Sequence, residues 1–184
     1  IMADMPFMSY ATENLAYDNA MRLMQAGANS VKVEGGEWIL KTTELLSQRG
    51  IPVCPRLGLP PQSINRLGGY YVQGRDLEDK NRILSEAKQL ENAGAEIILL
   101  ECVPASLSEE ISSSLKIPTI GIGSSVNCDG QVLVIDDLTG LSQSKLKFVK
   151  KFVDITKLIE NGVKKFKSEV LKKKFPKAKH SFSK

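Results

Sequence analysis

Short apolar runs alternate with amphipathic stretches along most of the chain. S-V-K-V-E-G-G (30–36), I-P-V-C-P-R-L-G-L (51–59), E-I-I-L-L-E-C-V (96–103), I-P-T-I-G-I-G-S-S (117–125) and Q-V-L-V-I-D-D-L (131–138) each read as a strand. Residues 1–5 read as the tail of another. E-I-I-L-L-E-C-V is apolar at nearly every position, as a strand covered on both faces should be. Helical spacing fills the gaps. Over 12–26 the apolar positions are Leu15, Ala16, Ala20, Leu23 and Met24, with Thr12 placed as N-cap and Gly27 at the far end. Residues 37–48, 78–93 and 106–115 follow the same rule. A-G-A-N-S-V-K-V-E-G-G and A-G-A-E-I-I-L-L-E-C-V both read as a helix end, a tight turn and a buried strand, a weak repeat of one βα unit.

Strict strand–helix alternation predicts an α/β fold on a parallel sheet. The sheet could be open or closed. No G-x-G-x-x-G opens a helix, and G-I-G-S-S carries only part of that pattern, which argues against an open dinucleotide-binding sheet. Six strand ends are countable, whereas a complete (β/α)8 barrel has eight strands in about 250 residues. The chain also opens inside a strand. The expectation is a TIM barrel lacking about its first two βα units, with residues 1–184 as one partial-barrel domain.

Composition narrows this further. No apolar run approaches the roughly 20 residues of a membrane span, and Ile1–Asp4 carries no basic stretch of a secretory signal. Cys54, Cys102 and Cys128 are odd in number and lack a C-x-x-C pair, so a reducing cytoplasm is expected. Charge is unevenly spread. Residues 1–144 hold 11 basic against 18 acidic side chains, and residues 145–184 hold 14 against 3. The basic block is read as the solvated face of a Lys-rich helical segment at about 145–175. Phe148, Phe152 and Phe166 take its inner face. It is not read as a specific nucleic-acid or membrane site.

In parallel barrels, polar residues at the C-terminal strand ends carry the chemistry. That rule selects Asp4, Lys32, Glu34, Arg56 and Glu101. Lys32 and Glu34 stand two apart and share a face. Glu101 follows four aliphatic residues, so its carboxyl is expected to be desolvated and suited to proton transfer. His180 is the single histidine and lies in the Lys-rich end, so neither a His-based triad nor a His-rich zinc site is expected. Carboxylates and a lysine at a barrel mouth suit a hard ion such as Mg²⁺, and through it enolate chemistry on a 2-oxo acid.

A-D-M-P-F-M-S-Y-A-T (3–12), A-G-A-N-S-V-K-V-E-G-G-E-W (26–38), G-L-P-P-Q-S-I-N-R-L-G-G-Y-Y-V-Q-G-R (58–75), L-L-E-C-V-P (99–104) and I-P-T-I-G-I-G-S-S…C-D-G-Q-V-L-V (117–134) together resemble the ketopantoate hydroxymethyltransferase family. F-P-K-A-K-H-S-F (175–182) resembles its C-terminus. The resemblance implies a (β/α)8 TIM barrel of the phosphoenolpyruvate/pyruvate type. It also implies transfer of a one-carbon unit from 5,10-methylenetetrahydrofolate to 3-methyl-2-oxobutanoate, giving 2-dehydropantoate for pantothenate and coenzyme A synthesis. On the family's pattern Asp4 and Glu34 match metal-site acids, Asp4 also being near substrate. Lys32 matches a substrate-binding lysine, and Glu101 the proton-transfer glutamate. A homo-oligomer, a homodecamer in this family, is implied as well.

Four departures stand out. Arg56 occupies the place of a usual substrate-holding His, Tyr71 that of a common Lys, and Ser124-Ser125 that of Ala-Gly. The family's first metal Asp, with its adjacent Ser, would lie upstream of Ile1. Two other readings remain open at this point. One is a Mg²⁺-dependent enolate lyase or mutase of the isocitrate lyase and phosphoenolpyruvate mutase type. The other is a truncated barrel without catalysis, kept for binding or assembly, which Arg56 and the absent start would favour.

Overall fold

The computed structural model describes residues 1–63, 69 and 71–182. Part of the G-L-P-P-Q-S-I-N-R-L-G-G-Y-Y motif, residues 64–68 and Tyr70, lies outside the described residues. The chain forms two compact units, Ile1–Val132 and Leu133–Lys184.

The first unit is strand–helix alternation as far as its fifth strand, which a loop joins directly to a short sixth strand. Its elements are β1 (Met2–Asp4), α1 (Glu13–Gln25), β2 (Ser30–Glu34), α2 (Leu40–Gln48, after a 3-10 turn Glu37–Ile39), β3 (Val53–Gly58), α3 (Leu77–Asn92), β4 (Ile98–Glu101), α4 (Ala105–Ser114), β5 (Thr119–Ile122) and β6 (Gly130–Gln131). All pairings are parallel, and the order is β1-β2-β3-β4-β5-β6. Sequential order without reversal is what a barrel wall has; a doubly wound sheet reverses at a switch point. The result is a curled parallel sheet of the half-barrel kind. Its core is aliphatic, built on Val31, Val33, Leu46, Val53, Ile83, Leu90, Ile98, Leu100, Leu107 and Ile111.

Local signals act as their chemistry requires. Thr12 Oγ1 accepts the Leu15 N–H at 3.3 Å and starts α1. Asp76 does the same for α3 through the Asp79 N–H at 2.8 Å. The two Ala-Gly-Ala turns are one device used twice. The amides of Ala28 and Ala95 return to the carbonyls of Leu23 and Leu90, at 3.1 and 3.0 Å.

Two sequence expectations are corrected. Of the run 131–138 only Gln131 is strand, as the second residue of Gly130–Gln131. Val132, Val134 and Ile135 are exposed, so their alternation buys no burial. Asp136 and Asp137 instead enter the first turn of a short helix α5 (Ile135–Thr139), closed by Gly140. In the second unit the basic helix α6 (Ile155–Leu171) begins only after Asp154, whose carboxylate accepts the Lys157 N–H at 3.0 Å. Phe148 and Phe152 therefore precede the helix, and Phe152 and Phe166 are exposed rather than inward-facing. Within that unit Phe166 packs edge-on against Phe175, with 5.5 Å between centroids.

Candidate functional site

The carboxyl ends of β1 to β4 carry the five residues selected by strand position. β1 ends on Asp4, β2 on Glu34 and β4 on Glu101, and Arg56 stands two residues before the end of β3. Parallel pairing brings these ends to one side of the sheet. Register then decides which side chains meet. Asp4 lies beside Lys32, and Glu34 beside Arg56. Arg56 is level with Leu99, so it reaches Glu101 two residues further along the same face of β4.

The contacts form a ladder of alternating charge. The Lys32 ammonium pairs with Asp4 Oδ2 and lies 3.4 Å from Glu34 Oε1. Arg56 Nη1 donates to Glu34 Oε1 at 2.7 Å, and Nη2 pairs with Glu101. The second Glu34 oxygen accepts the Gln62 backbone N–H at 3.0 Å. Lys32, Glu34 and Glu101 are buried, while the Asp4 side chain is 59% exposed. Buried charges persist only when paired, and these are. Glu101 is buried, as expected of an acid that follows four aliphatic residues, and the register in addition places a guanidinium against it. Arg56 Nε is itself buried without a hydrogen-bond partner.

Gly58 makes the junction of β3 and β4 possible. Its φ is +89°, and a Cβ there would come within 2.1 Å of the Glu101 carbonyl oxygen. The same carbonyl accepts the Leu59 N–H at 2.9 Å. Glu101 is thus held by the backbone of the neighbouring strand as well as by Arg56. The chain then turns at Cys102, which has φ +50°.

Sequence reasoning passed over two supporting residues. Tyr10, 3% exposed, donates its hydroxyl to Gln62 Oε1 at 2.6 Å and accepts the Glu34 N–H at 3.3 Å. Gln62 Nε2 donates to the Met5 carbonyl at 3.0 Å. Together they brace the end of β2 from the loops after β1 and β3. Both lie in the motifs M-S-Y-A-T and P-P-Q-S, where a polar residue between small or rigid neighbours was the available signal. Burial pushes the Tyr10 phenol up to about 12 and the Cys54 thiol up to about 12, and it also raises Cys102. Ser125, at one of the departures, is buried. Its N–H donates to Ser108 Oγ at 3.0 Å and its hydroxyl to Glu109 at 2.8 Å, so its bulk ties the end of β5 to α4. Tyr71 is exposed.

Asp4 and Glu34 offer hard carboxylate oxygens, the donors Mg²⁺ takes, and Mg²⁺ commonly needs only one or two carboxylates beside water and substrate. By donor chemistry the pair fits such an ion. Among the described residues no group of three or more His, Cys, Asp or Glu side chains is placed to hold a metal.

Comparison with known proteins agrees with this architecture and specifies it. A sequence model described as ketopantoate hydroxymethyltransferase matches residues 1–178. A protein named 3-methyl-2-oxobutanoate hydroxymethyltransferase from Shewanella oneidensis is 51% identical over 184 residues, which is all of this chain and 70% of that protein. Its namesake from Shewanella sp. strain W3-18-1 is 52% identical with the same coverage. Among solved structures, dihydrodipicolinate synthase from Acinetobacter baumannii superposes with a TM-score of 0.51 at 12% identity, over 74% of this chain and 55% of that one. A protein from Burkholderia cenocepacia described as a lyase/mutase gives 0.50 at 14%, over 95% and 62%. At such identities these two share the fold alone.

Proposed function

The chain belongs to the ketopantoate hydroxymethyltransferase family, and on that premise we propose how its strand-end cluster carries the reaction. The reaction is transfer of a hydroxymethyl group to 3-methyl-2-oxobutanoate, giving 2-dehydropantoate for pantothenate and coenzyme A synthesis. The observation that carries the assignment of roles is the ion pair between buried Glu101 and Arg56 at the ends of adjacent strands.

The substrate brings a carboxylate, a keto group and one acidic C–H at C3. Arg56 and Lys32 are the cations that meet it. A planar guanidinium suits a carboxylate in two-point contact. As the substrate carboxylate engages Arg56, Glu101 is released from its partner and accepts the C3 proton. Lys32 stabilises the negative charge that develops on the oxo acid. Water hydrolyses the donor's methylene bridge: both carbon–nitrogen bonds break, tetrahydrofolate leaves with the two hydrogens of the water, and the freed carbon carries the water oxygen as a formaldehyde-level carbonyl. The electron pair left at C3 forms the new bond to that carbon, and the carbonyl oxygen takes back the proton held by Glu101 to become the new hydroxyl.

Asp4 and Glu34 are the residues that would hold Mg²⁺, which when bound supplies Lewis-acid polarisation of the keto group. We take the donor as 5,10-methylenetetrahydrofolate and the setting as cytoplasmic, in keeping with three free cysteines. We also take the working form as a homo-oligomer, in keeping with exposed Phe7, Met8 and Leu77.

The test is deuterium exchange at C3 of 3-methyl-2-oxobutanoate in D2O, followed by NMR. Glu101→Gln keeps shape and hydrogen bonding but cannot take a proton, so exchange falls by about 10²–10⁴-fold. Exchange at the parental rate removes Glu101 from this role.

A further inference from the structure

Each acid of the strand-end cluster is already matched to a cation of the chain itself. Asp4 pairs with Lys32, and Arg56 spans Glu34 and Glu101. The matching is most complete at Glu34. Its Oε1 faces Arg56 Nη1 at 2.7 Å and Lys32 Nζ at 3.4 Å, and its Oε2 accepts the Gln62 N–H at 3.0 Å. The Glu34 side chain is buried, so water does little to screen these contacts. A Mg²⁺ ion takes a ligand oxygen at about 2.0–2.1 Å. It cannot share Oε1 with a guanidinium nitrogen at 2.7 Å, because the two cations would repel at close range in a dry site.

Arg56 is held through its two terminal nitrogens only. Nη1 and Nη2 are paired, whereas Nε is buried without a hydrogen-bond partner. Withdrawal therefore forfeits two contacts and no third. There is also room for it. Arg56 lines a cavity of about 360 Å³ whose other walls include Gln73, Glu86 and Trp38, the single tryptophan of the chain.

We propose that Arg56 is a resident cation of the Asp4–Glu34 site: in the metal-free chain its guanidinium occupies the Glu34 oxygen that a divalent ion would take, and the ion binds there only as Arg56 withdraws into the adjoining cavity. The inference rests on the Mg²⁺ reading of Asp4 and Glu34 above. It adds a determinant of metal affinity, separate from the contact of Arg56 with the substrate carboxylate. An oxo acid that draws Arg56 off Glu34 then helps the ion in, and the same movement frees Glu101.

Calorimetric titration of Mg²⁺ into the metal-free full chain, without oxo acid, decides. Arg56→His is largely neutral at pH 8 and too short to span both acids. It binds Mg²⁺ at least about tenfold more tightly than the parent, the effect of removing one like charge at close range. Arg56→Met combined with Glu101→Gln strands no charge at position 101 and gives the same gain should the histidine variant fold poorly. Damage to the fold weakens metal binding, so a gain on removing a side chain is not what a merely structural role produces. Adding Asp4→Asn to either variant abolishes the gain. A gain that survives Asp4→Asn puts the ion elsewhere and overturns the inference, and so does unchanged or weaker Mg²⁺ binding in both variants. A parent chain that exchanges no C3 deuterium, while the variants still gain Mg²⁺ affinity, overturns the proposed function instead and leaves Arg56 in this role.

Discussion

Removing the Arg56 guanidinium tests the ladder at its centre. Arg56 bridges Glu34 and Glu101, which are 4% and 5% exposed. In Arg56→Met the stem is replaced at similar volume and both carboxylates lose that cation. Glu34 keeps Lys32 at 3.4 Å and the Gln62 amide at 3.0 Å, so its loss is partial. Glu101 has no second cation among the described residues. Breaking a buried pair from one side costs about 3–5 kcal/mol, because a buried charge is left uncompensated. Against a typical stability of about 5–15 kcal/mol that is a large fraction. Adding Glu101→Gln removes the stranded charge and should recover about 1–3 kcal/mol, the usual coupling of contacting groups. Arg56→Lys should recover less, because one ammonium cannot span two carboxylates. Urea unfolding followed by Trp38 emission reports the unit Ile1–Val132 alone. A loss under about 1 kcal/mol, the worth of a solvated surface pair, or additive effects in the double variant would refute the ladder as a buried, coupled system.

Asp4→Asn should weaken Mg²⁺ and oxo-acid binding together while changing stability little, since Asp4 is largely exposed; calorimetry with each ligand decides, and unchanged affinities for both would remove Asp4 from the site. The Tyr10 phenol, raised by burial to about 12 against 10.0, favours the folded state fully below pH 10. That contribution is lost as pH rises through about 12, and a spectrophotometric titration in which every tyrosine ionises near 10 would contradict it. Cys54, raised to about 12 by burial, should resist thiol reagents at neutral pH in the folded protein and react at once in denaturant; native reactivity matching the denatured rate would show that the strand is not buried as described.

Periodicity in the chain was enough to locate β1 to β5 and α1 to α4 to within three residues at each end, because each element buries its apolar positions at its own repeat. Thr12 and the Ala-Gly-Ala turns were readable for the same reason: caps and turns satisfy backbone groups only a few residues away. Asp4, Lys32, Glu34, Arg56 and Glu101 could be named because strand ends mark one side of a parallel sheet, and the resemblance agreed with them. The run 131–138, and the start and inner face expected of the basic helix that lies at Ile155–Leu171, differ from the pattern where apolar spacing was present but burial was not, since Val134, Ile135, Phe152 and Phe166 are exposed. Pairing is a different matter. That Arg56 touches both Glu34 and Glu101 depends on registers between strands 22 and 45 residues apart in the chain. Whether Glu101 is an isolated acid or a partnered one follows from that register, as does the stacking of Trp38 on Tyr10. Local pattern carries the repeat of an element; only the folded sheet sets which side chain of one element stands opposite which of the next.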